Sequence, residues 1–117
     1  MSIRSFQDLK VWHKGHTLVL EIYKLTKTFP VDERYGLISQ VRRSSTSICA
    51  NMAEGYKKST QEFLRFLYIT QGSLEETKYF LILSRDLGYC NLDHFNRLFN
   101  LSDEIGLMLN GLIKKLG

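Results

Sequence analysis

Hydrophobic positions recur along this chain at helical spacing, and no stretch shows the two-residue alternation of a half-buried strand. Four helical segments are predicted. The first runs from about Asp8 to Thr28 and stops at Phe29-Pro30, because proline disfavours helix in the residue before it. The second begins near Asp32 as N-cap and ends at Gly55 as the C′ residue. Ser59-Thr60-Gln61-Glu62 has the form of a capping box and opens the third, which Gly88 closes after Leu87. Asn91 caps the fourth, which continues to about Leu116. Short links between four long helices predict an all-α, antiparallel up-down four-helix bundle, with residues 1–117 as a single domain.

The helical faces differ in how much partner they demand. The fourth segment carries one stripe, Phe95, Leu98, Phe99, Ser102, Ile105, Leu109, Leu112, Ile113 and Leu116, which is an ordinary bundle face. The first carries two nearly opposite apolar sides. One is Leu9, Trp12, His16, Val19, Leu20 and Tyr23; the other is Val11, Leu18, Ile22, Leu25 and Phe29. Its polar residues, Lys10, Lys14, Thr17, Glu21 and Lys24, occupy only a narrow strip between them. The third segment adds to its core side (Phe63, Phe66, Leu67, Thr70, Leu74, Thr77, Leu81) an aromatic-rich strip of Leu64, Tyr68, Gly72, Tyr79 and Ile82. Surplus apolar faces on a soluble chain predict a homo-oligomer, with Trp12, Tyr23, Leu64, Tyr68 and Tyr79 at the subunit interface.

The second segment is built differently. Leu37, Val41, Ser45, Ile48 and Met52 form its core line, while Ser44, Thr46, Ser47, Cys49, Ala50 and Ala53 are small on nearly every side. It is therefore expected to be closely surrounded. Arg42 and Arg43 lie about 100° apart on it, so they need not share a task. Asn51, at the margin of the core, and Glu54, at the helix end that disfavours an anion, are expected to be structural polar residues with specific partners.

Charge sharpens the picture. The net +4 is carried between Arg34 and Arg65, where Arg34, Arg42, Arg43, Lys57, Lys58 and Arg65 face only Glu54 and Glu62. A focused basic excess suits a polyanion. Chemistry is sparse by comparison. Cys49 and Cys90 stand far apart and read as buried thiols. His13 and His16 share a helical face without a local third ligand, no glycine-rich phosphate loop occurs, and Glu75 and Glu76 face different ways. An enzyme, a metal site or a cofactor is not expected. The N-terminus lacks the apolar core of a signal peptide, and no apolar run approaches the roughly 20 residues that cross a bilayer. A cytoplasmic protein without membrane contact is expected.

Specific segments carry a further likeness. Leu9-Lys-Val-Trp12, Tyr23-Lys-Leu-Thr26 with Phe29-Pro30, Tyr35-Gly-Leu37, Gln40-Val-Arg-Arg43, Ser47-Ile48, Asn51-Met-Ala-Glu-Gly55, Gly72-Ser-Leu-Glu75 and Leu87-Gly-Tyr89 together span nearly the whole chain. In these the chain resembles the four-helix-bundle proteins encoded in intervening sequences of bacterial 23S ribosomal RNA genes. Those are similar in turn to the accessory variability determinant of diversity-generating retroelements. The resemblance implies a bundle that assembles into a ring-like pentamer, with a basic surface that in the retroelement branch binds nucleic acid and a reverse transcriptase. It implies no catalytic residue. The chain departs from the pattern at Cys49, where the family commonly has proline after Ser-Ile, so the second helix is expected to run straighter.

Two expectations follow. In the first, Arg42, Arg43, Lys57, Lys58 and Arg65 contact the phosphates of RNA or DNA. In the second, the protein is an interaction scaffold whose arginines pair with Glu54 or Glu62 across subunits. Helical placement favours Lys57 and Lys58, past Gly55 in an open connection, for nucleic acid, and divides the arginines between binding and assembly.

Overall fold

Ser5 closes a short turn with its own side chain. Its hydroxyl accepts from the Gln7 amide while Asp8 accepts from the Ser5 amide, a capping box over a 3-10 turn, Phe6–Asp8. The structure is a computed structural model and describes residues 5–117. Four helices follow: α1 Lys10–Thr26, α2 Leu37–Tyr56, α3 Thr60–Asp86 and α4 Leu92–Leu116. The described residues contain no strand.

Each helix packs on its neighbours in sequence, and α4 returns to α1, so the four close into a bundle. Side-chain pairs show the antiparallel sense directly, since the partner's number falls as the helix is climbed. Lys14 meets Glu104 and Glu21 meets Arg97; Ser44 meets Thr77 and Ser47 meets Ser73; Gln71 meets Asn110 and Lys78 meets Asp103. Leu18 and Ile22 of α1, Val41, Ile48 and Met52 of α2, Leu67 and Leu81 of α3, and Leu98, Ile105 and Leu109 of α4 lose essentially all solvent contact. Each such side chain contributes about 1.5–3 kcal/mol of transfer free energy. Among the described residues no helix is long and apolar enough to cross a membrane.

The helix ends correct three expectations. The second helix starts at Leu37, not near Asp32; Val31–Glu33 form a 3-10 turn and Gly36 breaks the backbone with φ −110° and ψ −111°. The cap is Glu33 instead, whose Oε1 accepts from the Leu37 amide at 3.2 Å. Gly55 is not a C′ residue. It is helical and buried, and a Cβ there would stand 2.5 Å from the Cβ of Phe66, so it is glycine to let α2 and α3 touch. Ser59 does cap α3 by accepting from the Glu62 amide, but the Glu62 carboxylate turns to Arg65. Gly88 behaves as expected: with φ +79°, it lets Tyr89 and Gly88 donate to Ser84 and Arg85, which is a Schellman ending.

The small residues of α2 do not leave it surrounded on every side: Ser44 and Cys49 are buried, but Thr46, Ser47 and Ala53 are half-buried and Ala50 is exposed, and the close approach is on the side that meets α3. Ser44 and Thr77 hydroxyls meet at 2.8 Å, as do Ser47 and Ser73, and Thr70 reaches the Ile48 carbonyl at 3.5 Å. The α2–α3 contact is therefore a close seam of paired hydroxyls. Helix α2 continues unbroken through Cys49.

Candidate nucleic-acid interface

The five basic residues singled out from the sequence do not form one surface. Arg43 and Lys57 are 14 positions apart on or just beyond α2, a rise of about 21 Å. Within the upper group the two arginines also part company. Arg42 turns to α1: its Nε donates to Thr26 Oγ1 at 2.9 Å, its Nη2 to the Tyr23 carbonyl at 3.4 Å, and its guanidinium lies 4.4 Å from the centre of the Tyr23 ring. Arg43 turns to α3, donating to Gln40 and forming an ion pair with Glu76. Arg65 is paired one turn back with Glu62 and lies over the Phe66 ring. Exposed ion pairs of this kind contribute only about 0–1 kcal/mol, but they occupy the cation.

Lys57 and Lys58 are different. Both are exposed, in the connection between α2 and α3, and no ion pair among the described residues includes either. Lys58 hangs 5.8 Å from the Phe66 ring. Lys57 closes α2, where a cation complements the carbonyl end of the helix. Because α3 and α4 are antiparallel, the last turn of α4 with Lys114 and Lys115 emerges at this same end. Lys114 borders a depression with Tyr68.

The expected polar residues find local partners or none. Asn51 donates to the Ser47 carbonyl and hydroxyl at 2.9 and 2.8 Å, extending the hydroxyl seam. Glu54 is exposed and absent from every ion pair among the described residues. Glu76, the partner Arg43 does find, was not legible because it lies on another helix, and neither Glu54 nor Glu62 pairs with Arg42 or Arg43 within the subunit.

Of the apolar interface residues, Tyr68 and Tyr79 are 58% and 55% exposed and share one side of α3. Leu64 is half-buried. On α1 the surplus side is partly consumed within the subunit: Leu9 and Val19 are buried, and Trp12 is half-buried with Phe6 edge-on at 5.0 Å and His16 stacked at 5.2 Å. The N-terminal turn supplies a cover that helical periodicity alone does not reveal. Tyr23 and Leu20 remain exposed. The strip of Lys14 and Glu21 meets Glu104 and Arg97 of α4, and Arg97 holds the Glu21 carboxyl below the usual range.

The remaining titratable groups offer little chemistry. Cys49 and Cys90 are free, buried thiols. Burial pushes the Cys49 thiol up to about 12, and Cys90 is raised for the same reason. No three His, Cys, Asp or Glu side chains among the described residues cluster to hold a metal ion.

A family model described as 23S rRNA-intervening sequence protein matches residues 7–111. A crystal structure at 1.70 Å of a protein of unknown function, from the S23 ribosomal protein family of Bacteroides thetaiotaomicron VPI-5482, superposes with a TM-score of 0.81. The two are 31% identical, and the match covers 89% of this chain and 98% of that one. No curated protein matches the chain.

Proposed function

The chain belongs to the 23S rRNA-intervening sequence protein family, and on that premise we propose that it is a non-enzymatic, oligomeric nucleic-acid-binding bundle. The observation that carries this reading is the pair Lys57 and Lys58, adjacent, exposed and without a carboxylate partner among the described residues. Arg43 and Arg65 spend their charge on Glu76 and Glu62. The lysines are left for phosphates, with Lys114 and Lys115 at the same end of the bundle. A ring of subunits, a pentamer in the form the resemblance implies, repeats that charge by symmetry and supplies the avidity one patch lacks.

Contacts of this kind are largely independent of sequence and weaken with salt, log K falling by roughly 0.7–0.9 per phosphate for each tenfold rise in salt. Titration against structured RNA and duplex DNA at two ionic strengths tests the reading. Lys57→Glu with Lys58→Glu is expected to weaken binding at low salt by about tenfold or more and to flatten the salt dependence. Absence of wild-type binding at low salt, or binding indifferent to both substitutions, overturns it.

The exposed Tyr68 and Tyr79 favour a second reading, a structural or interaction scaffold whose basic residues serve oligomer assembly or a protein partner. Under that reading Arg43→Ala lowers the oligomeric mass in light scattering, and no nucleic-acid affinity exists to be lost.

A further inference from the structure

At the opposite end of α2 from Lys57, about 30 Å away along a helix of 20 residues, the connection from α1 encloses a groove of about 300 Å³. Lys27, Arg34 and Arg42 border it, and no carboxylate does. The two acids of the connection lie elsewhere: Glu33 is committed to the Leu37 amide and to the Tyr89 hydroxyl, and Asp32 is not on the groove wall.

The arginines of this protein divide sharply. Among the described residues, Arg43, Arg65, Arg85 and Arg97 each pair with a carboxylate. The two that do not, Arg34 and Arg42, both border this one groove, and Lys27 is likewise outside every described ion pair. Arg42 is half-buried, yet its partners are the neutral oxygens of Thr26 and Tyr23, through Nε and Nη2. A partly desolvated guanidinium without a counter-charge is stabilised by an anion, and its planar fork suits phosphate. Tyr23 lies against the Arg42 guanidinium, and Tyr35, which follows Arg34 in the chain but does not line the groove, is 88% exposed. Cations with exposed aromatic rings are what single strands of nucleic acid use, the phosphate on the charge and a base on the ring.

We propose that this groove binds a phosphate of single-stranded nucleic acid through Arg34, Arg42 and Lys27, with an adjoining base stacked on Tyr35. The proposal rests on the nucleic-acid reading above but assigns a site separate from the Lys57–Lys58 end.

The experiment is fluorescence anisotropy of the full chain with a short labelled oligouridylate, across a salt series. Uridine 5′-monophosphate and inorganic phosphate serve as competitors. Arg34→Glu and Tyr35→Ala alter exposed side chains; Lys57→Glu with Lys58→Glu is the reference. Arg34→Glu is expected to weaken binding about tenfold or more and to reduce the log–log salt slope by about 0.7 or more. Tyr35→Ala is expected to weaken it by about tenfold with the slope unchanged. Competition by the monophosphate identifies the nucleotide unit as sufficient, whereas competition by unlabelled strand alone shows that the strand is required; either upholds the groove if Arg34→Glu removes it. Equal competition by inorganic phosphate and the monophosphate overturns the stacking role of Tyr35. Wild-type affinity and slope in both groove variants overturn the site, and if the lysine pair then abolishes binding, the broader reading survives. A wild-type protein that binds no oligouridylate at low salt overturns this proposal, and failure with structured RNA and DNA as well removes the broader reading with it.

Discussion

One residue step along α2 turns Arg43 about 100° from Arg42, and that rotation sends one guanidinium to the Tyr23 ring and the other to Glu76. The divergence is readable from sequence because it is local geometry. The identity of Glu76 is not, because it depends on how two helices are set against each other. Cys49 makes the same point through burial. Its thiol lies 3.7 Å from the Trp12 carbonyl, and desolvation lifts it from 9.0 to about 12. The unfolded thiol ionises first, so the stability held by the protonated form is full below about pH 9 and is lost as pH rises through about 12. Alkylation by iodoacetamide at pH 8 is expected to be slow in the folded protein and fast in urea. Equal rates in the two states would show that this thiol is not shielded.

At the scale of the element, periodicity located all four helices and their buried lines, including Phe63 through Leu81 on α3 and Phe95 through Leu109 on α4. Their ends are less legible, because more than one nearby polar side chain can reach the same free amide: Ser59 and Asn91 cap as read, whereas Glu33 and not Asp32 serves α2. Glu33 illustrates this. One carboxylate oxygen caps α2 at Leu37, and the other accepts from the Tyr89 hydroxyl at 3.0 Å, tying the α1–α2 and α3–α4 connections together. The Tyr89 phenol is raised, chiefly because it donates to Glu33. Glu33→Ala is expected to destabilise the protein by about 1 kcal/mol through the lost cap alone, read as a lower urea midpoint. Glu33→Gln should recover much of it by keeping an acceptor at Leu37. An unchanged midpoint in Glu33→Ala would remove Glu33 from this role.

For the whole molecule, the surplus apolar faces are the feature the single subunit does not absorb. Part of the α1 surplus is covered by the N-terminal turn through Phe6 and Trp12, but Tyr68 and Tyr79 stay open on one side of α3, with Leu107 of α4 74% exposed. If copies of the chain associate through this side, Tyr68→Glu with Tyr79→Glu places charges against an apolar contact. The expected result is a fall in molar mass by light scattering at unchanged helicity. Retention of the wild-type mass would move the interface elsewhere, with Leu20 and Tyr23 of α1 the next surface to test.

Four helices with short links are legible from local signals, because helical periodicity, Pro30, Gly88 and the caps Ser59 and Asn91 act within a few residues of themselves. The small side chains of α2 likewise permit a close helix approach, but the structure places that approach on the side against α3 and leaves Ala50 exposed. Which charges are spent and which are free depends on how the helices are set against one another. Ion pairing depends on distances between helices, so Arg43 and Arg65 found carboxylates while Arg34, Arg42, Lys57 and Lys58 did not. The basic residues between Arg34 and Arg65 are divided between the two ends of the bundle by helix rise alone, because a helix of 20 residues holds its ends about 30 Å apart.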